Sequence, residues 1–266
     1  MNLLTCILTE NDCYKANRTI TPKGVMVHST GADNPNIKRY VQPPAGDADR
    51  AVLLDRLGTN RNKNDWNRAG TNACVHAFIG KLADGSVATA QTLPWNWRGW
   101  HAGNGTSGKS ANDTHISFEI CEDGLTDPDY FSQVYREAVE LTAMLCKQYG
   151  LDPLADGVVI CHQEGYRRGV ASNHEDVLHW FPKMGKSMDD FRADTAAELA
   201  PKPGPGPEEE DDMIYYQTLD EIPEYYRPTM EKLVEAGVLK GNGHGLDVSE
   251  DLCKTLTILD RLGKLN

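Results

Sequence analysis

The run Pro201-Lys202-Pro203-Gly204-Pro205-Gly206-Pro207, followed by Glu208-Glu209-Glu210-Asp211-Asp212, limits this chain more than any other feature. Alternating proline and glycine cannot propagate a helix, and the adjacent acids repel one another into solvent. No packed core is expected to cross such a stretch. The chain is therefore expected to divide into residues 1–200, a linker at 201–213 and a short module at 214–266. The first part has the size of an ordinary domain and the last that of a small appendage.

Within the first part, Gly24–Thr30, Ala73–Gly80, Ser86–Thr92, His115–Cys121 and Val158–His162 read as strands, rich in Val, Ile and Phe and bounded by turn residues. The opening residues Met1–Glu10 read as a further, first strand. Leu82-Ala83-Asp84-Gly85 carries the Asp-Gly of a hairpin turn. Asp127–Tyr149 repeats Val134, Ala138, Leu141 and Leu145 at helical spacing and stops at Gly150. Ala45–Leu57 and Met188–Leu199 read as shorter amphipathic helices. Strands interleaved with helices, with one hairpin among them, predict an α/β fold: a mixed central sheet flanked by helices. The trailing module reads as mainly helical, with Pro228–Ala236 and Ser249–Leu262 as its helices and Ser249 as an N-cap.

Charge narrows the partners. A net charge of −12 repels phosphate backbones, so nucleic acid is not expected as a partner. The longest apolar runs are far short of a membrane span. Seven cysteines are an odd number without paired spacing, and Cys74, Cys121 and Cys161 lie in apolar runs as reduced core residues do. The N-terminal residues have no basic region ahead of their apolar stretch, so synthesis in the cytoplasm without a signal peptide is expected.

The chemistry is carried by histidines. His28 ends the apolar run Val25-Met26-Val27, and His162 ends Val158-Val159-Ile160-Cys161. His174 and Asp176, two apart in one loop, can present both side chains in the same direction. Two strand-end histidines meeting at one sheet edge, with a last ligand from a loop, make the three-ligand zinc site that leaves a position for water. His76, His115 and His179 are read as hydrogen-bonded structural residues. Glu119 alternates onto the strand face opposite Ile116, Phe118 and Ile120. It reads either as a solvated carboxylate or as a general base beside a metal-activated water.

Five segments occur in this order: Val25-Met26-Val27-His28-Ser29-Thr30, Val75-His76-Ala77-Phe78-Ile79, Trp100-His101-Ala102-Gly103, Ile116-Ser117-Phe118-Glu119 and Ile160-Cys161-His162. Together they resemble the zinc-dependent N-acetylmuramoyl-L-alanine amidases of the type-2 amidase and peptidoglycan-recognition-protein family, over most of residues 20–195. The resemblance implies one zinc per chain held by His28, His162 and Asp176, with Glu119 as catalytic base and His174 stabilising the oxyanion. The family's tyrosine before the histidine of its second strand motif is replaced by Val75, which places the base role on Glu119. Its Asp-Pro-Gly after the third ligand is replaced by Asp176-Val177-Leu178-His179, so Asp176 and His174 both stand as candidates for that ligand. Trp95, Trp97, Trp100 and His101 fall in one loop, and Trp100 and His101 are read as substrate-binding.

What the resemblance implies is a phage or prophage endolysin of a Gram-positive host. Its substrate is bacterial cell-wall peptidoglycan, cut between N-acetylmuramic acid and L-alanine, with the trailing module binding the wall. The alternative is a peptidoglycan-binding protein of the same fold that does not cut.

Overall fold

The computed structural model describes residues 1–200 and 214–265; the linker expected at 201–213 lies outside the described residues. The chain divides into two compact units, Met1–Lys202 and Pro203–Asn266.

In chain order the first unit holds β1 (Leu3–Thr5), α1 (Asp12–Lys15), β2 (Gly24–Asp33), α2 (Arg50–Leu57), β3 (Ala77–Lys81) and β4 (Val87–Gln91). There follow β5 (His115–Glu122), α3 (Pro128–Tyr149), β6 (Val159–Cys161), α4 (His162–Arg167) and α5 (Met188–Leu199). Six strands form one sheet in the order β1-β4-β3-β5-β2-β6. The hairpin pair β3–β4 is antiparallel and every other pairing is parallel. The fold is thus a mixed central sheet with flanking helices. Its hairpin closes with Gly85 at φ +87, where glycine carries no Cβ penalty.

Period-2 alternation gives the sheet two buried faces. Val25, Val27, Ile116, Phe118 and Ile120 pack under α3, joined by Trp180, Phe181 and Phe191. Helix α3 presents Val134, Ala138, Leu141 and Leu145 to that face. It starts where Asp127 accepts the N–H groups of Asp129 and Tyr130, and ends at Gly150 in the left-handed conformation. The opposite face carries Leu4, Phe78, Ala88, Ala90 and Cys121, covered by Ile37, Tyr40, Leu53, Leu57 and Val75. A face that alternation alone could leave to solvent is therefore roofed by the segment between β2 and β3.

The first strand, expected over Met1–Glu10, is confined to Leu3–Thr5, and three further boundaries differ from the sequence reading. The segment expected as a strand from Ala73 enters the sheet only at Ala77, because Cys74 instead exchanges both backbone hydrogen bonds with Trp100. The helix expected from Ala45 begins at Arg50, since Asp47 first closes a turn by accepting the Asp49 N–H. His162 does not end a strand: Cys161 is the N-cap and His162 the first residue of α4, with the Glu164 carboxylate accepting the Cys161 N–H.

The second unit contains β7 (Tyr215–Tyr216), α6 (Arg227–Glu235), β8 (Val248–Ser249) and α7 (Glu250–Arg261). The two short strands pair antiparallel, and Tyr216, Ile222, Met230, Leu233, Val248 and Cys253 form a core of their own. Ser249 caps α7 by accepting the Leu252 N–H. Among the described residues no helix is long and apolar enough to cross a membrane. All seven cysteines are free thiols.

Candidate metal centre

Strands β2, β5 and β6 run parallel, so their C-terminal ends share one edge, the edge at which open α/β sheets place their ligands. His28 on β2 pairs in register with Glu119 on β5. His162 follows directly on β6. Asp176 arrives from the far side, opening the 3-10 turn Asp176–His179 at φ +44. A left-handed conformation in a residue other than glycine costs roughly 1–3 kcal/mol and persists where its surroundings fix it.

The side chains of these three residues converge. Asp176 Oδ2 lies 2.7 Å from His28 Nδ1 and 3.0 Å from His162 Nδ1, and the two Nδ1 atoms are 3.2 Å apart. All three ligating atoms fall within 4.8 Å of one another. His28 is 2% exposed and His162 5%.

The outer nitrogens decide the tautomers. His28 Nε2 faces His101 Nδ1 at 3.0 Å, and His101 Nε2 faces the backbone carbonyl of His115 at 3.3 Å. A carbonyl only accepts, so His101 carries its proton on Nε2, and its Nδ1 accepts from His28 Nε2–H. His162 Nε2 faces Ser172 Oγ at 3.2 Å, an oxygen able to accept its proton. With the proton of each ring on Nε2, both inner Nδ1 atoms face the Asp176 carboxylate free to ligate a metal. Two imidazoles with one carboxylate are a donor set that suits zinc.

Electrostatics acts on two of the three candidate ligands. Burial lowers the His28 pKa against the opposing pull of Asp176, and so favours the neutral ring. Burial pushes the Asp176 carboxyl up, but its close contacts with the His162 and His28 rings outweigh this and hold the group below the usual carboxylate range. His101 is held well below the usual histidine value by burial, then by His28, His76 and His115 around it.

Glu119 stands apart from the triad. Its Oε2 is buried and has no hydrogen-bond partner within the protein. Burial, then the charges of Asp176 and Glu122, raise its pKa well above the ordinary range. An unpaired buried carboxylate oxygen is costly to keep, and such groups concentrate where chemistry uses them.

The remaining candidates separate. His174 is exposed, its ring 4.7 Å from that of His162 and its Nδ1 3.2 Å from Ser172 Oγ, so it borders the triad without joining it. Trp100 is 41% exposed, with the Arg98 guanidinium over its ring. His101, grouped with Trp100 in the sequence reading, instead turns inward and holds the back of His28. Trp95 packs against the main core, and Trp97 stacks near Tyr14. His76 accepts the Ser117 N–H and donates to the Trp97 carbonyl, while His115 meets the Gly157 carbonyl. His179 pairs with Glu122 at 3.0 Å. Sequence reasoning missed Ser172, which offers no signal beyond standing two residues before His174.

The sequence matches the model of the family described as N-acetylmuramoyl-L-alanine amidase over residues 18–178. No curated protein matches it. Similar solved structures include that of PlyL, 18% identical over 73% of this chain and 96% of that one, with a TM-score of 0.45. The catalytic domain of XlyA is 21% identical over 73% of this chain and 99% of that one, at 0.45. The hydrolase AmiA of Staphylococcus aureus is 18% identical over 74% and 82%, at 0.43. The family match takes in most of the first unit, from the strand of His28 to the turn of Asp176, and on that match the chain belongs to the N-acetylmuramoyl-L-alanine amidase family.

Proposed function

We propose that this chain is a zinc-dependent peptidoglycan hydrolase of the endolysin type. It holds one zinc through His28, His162 and Asp176 and cuts the amide between N-acetylmuramic acid and the L-alanine of the stem peptide. The observation that carries this reading is the convergence of His28, His162 and Asp176, with their ligating atoms within 4.8 Å of one another, beside a carboxylate whose buried oxygen has no partner.

When bound, the zinc supplies Lewis-acid polarisation of the scissile carbonyl and brings the pKa of water down to about 7. Glu119 accepts the proton of the attacking water and delivers it to the departing alanine nitrogen. Its raised pKa suits that task, since burial makes the carboxylate a stronger proton acceptor than an exposed one. His174, exposed at the rim beside His162, donates to the oxygen that turns negative during attack. His101 and Ser172 keep the ligand rings in the tautomer with Nδ1 free. Trp100 offers an exposed ring on which glycan or peptide docks.

The module at 214–266 is assigned to wall binding, and the enzyme to action on the wall after release from the cytoplasm. A non-cutting binder of the same fold would need neither Glu119 nor an intact triad. Chelation followed by zinc addition separates the two readings on soluble muropeptides. The amidase loses turnover on chelation and regains it with one equivalent of zinc. Muropeptide binding without turnover in the zinc-loaded protein would favour the binder.

A further inference from the structure

The proposed chemistry leaves one buried ionisable residue beside the site without a role. Glu122 lies three residues beyond Glu119 at the end of β5 and is 3% exposed. Its Oε1 accepts two hydrogen bonds, from the Gly31 N–H at 3.0 Å and from His179 Nε2 at 3.0 Å. Its own N–H donates to Thr30 Oγ1 at 3.1 Å.

Those partners sit on the two segments that bring ligands to the site. Thr30 and Gly31 are the second and third residues after His28 on β2. The β2–β5 register is interrupted between Ser29 and Asp33, so the ordinary ladder does not hold the chain there. Glu122 takes over where the ladder stops. His179 closes the turn that Asp176 opens, and Val177 between them is buried in the main core. The turn is thus pinned at Val177 and His179, and the strained φ of Asp176 is imposed from those two points.

We propose that Glu122 is a positioning residue: through Gly31 and His179 it fixes the spacing of His28 and Asp176, and with it the affinity of the triad for zinc. The proposal rests on reading the triad as a zinc site. In this chain the turn after Asp176 reads Val177-Leu178-His179, and the His179 ring supplies the rigid anchor for that turn. Partners of this kind, one layer behind the ligands, typically change metal affinity by about 10–100-fold when lost.

The test compares Glu122→Gln, His179→Leu and His179→Gln in the full chain. Two quantities are measured: the zinc dissociation constant, by competition with a chromophoric chelator, and the melting temperature of the zinc-free protein. Glu122→Gln and His179→Leu are expected to weaken zinc binding by about 10–100-fold. His179→Gln retains an N–H donor toward Glu122 and is expected to recover most of the affinity. A merely structural ion pair lowers the zinc-free melting temperature and leaves the zinc constant unmoved; that result, in either Glu122→Gln or His179→Leu, overturns the proposal. Equal losses in His179→Leu and His179→Gln overturn it as well. If His179→Leu fails to fold, the Glu122→Gln constant decides alone. Failure of the wild-type chain to bind zinc removes the zinc site itself, which is a different result from a zinc-binding wild type with unchanged variants.

Discussion

At the scale of single residues the account turns on protonation. Glu119→Gln keeps the shape of the side chain and removes its ability to take a proton. General-base assistance contributes about 10²–10⁴-fold, so the zinc-loaded variant is expected to lose turnover by that factor with its zinc content unchanged. Metal analysis and muropeptide kinetics on one preparation check both halves. His76 gives a second prediction, on stability. Its pKa is lowered from 6.5 to about 4, first by burial, with the Trp97 and Ser117 hydrogen bonds opposing the shift. The folded ring therefore stays neutral where the unfolded one is protonated. Its contribution is complete above pH 6.5 and is lost as pH falls toward 4, amounting to roughly 3 kcal/mol over that window. Denaturant titrations between pH 8 and 4 are expected to show that slope, shallower in His76→Gln. Residue patterns singled out His28 and His162 at the ends of strand-like runs, Glu119 on an uncharged one and Asp176 in a loop with His174, and the structure brings His28, His162 and Asp176 together. His101 was legible as a site residue but not as the partner of His28, because its direction depends on the His115 carbonyl. Glu122 was not legible at all, since its partners come from β2 and from the turn after Asp176.

At the scale of elements, helix α3 makes the clearest case of sequence carried into structure. Its apolar spacing, Asp127 cap and Gly150 stop were all readable, because each is a local signal that the tertiary fold has no reason to override. The helix begun by His162 was not readable. Its apolar run continues a strand pattern, and only the hydrogen bond from the Cys161 N–H to Glu164 marks the change. The roof over the second sheet face was equally hidden, since residues 34–75 are mostly irregular and their burial comes from contact with Phe78 and its neighbours. Helix α3 also yields a measurable consequence. Leu141→Ala removes a fully buried side chain beneath the sheet and is expected to cost about 2–5 kcal/mol. Asp127→Ala removes only the cap and is expected to cost about 1 kcal/mol. Chemical denaturation of both variants checks the order; a cap loss larger than the core loss would contradict this description of the helix.

At the scale of the whole molecule the chain is two units with separate cores. A truncation ending at residue 200 is expected to stay folded, because a core of that extent needs no help from a short appendage. It is expected to turn over soluble muropeptides at the full-length rate and to bind whole walls less well. Pelleting assays compare the two; equal wall binding would remove the targeting role of the trailing module. The central claim, that this family member severs the sugar–peptide amide, is tested most directly by mass spectrometry of purified peptidoglycan digested with the zinc-loaded protein. The account predicts stem peptides with a free L-alanine amino terminus, and glycan strands whose muramic acids end in a free lactyl carboxylate. Digests showing cleaved glycosidic or internal peptide bonds instead, with the muramyl–alanine amide intact, would contradict it.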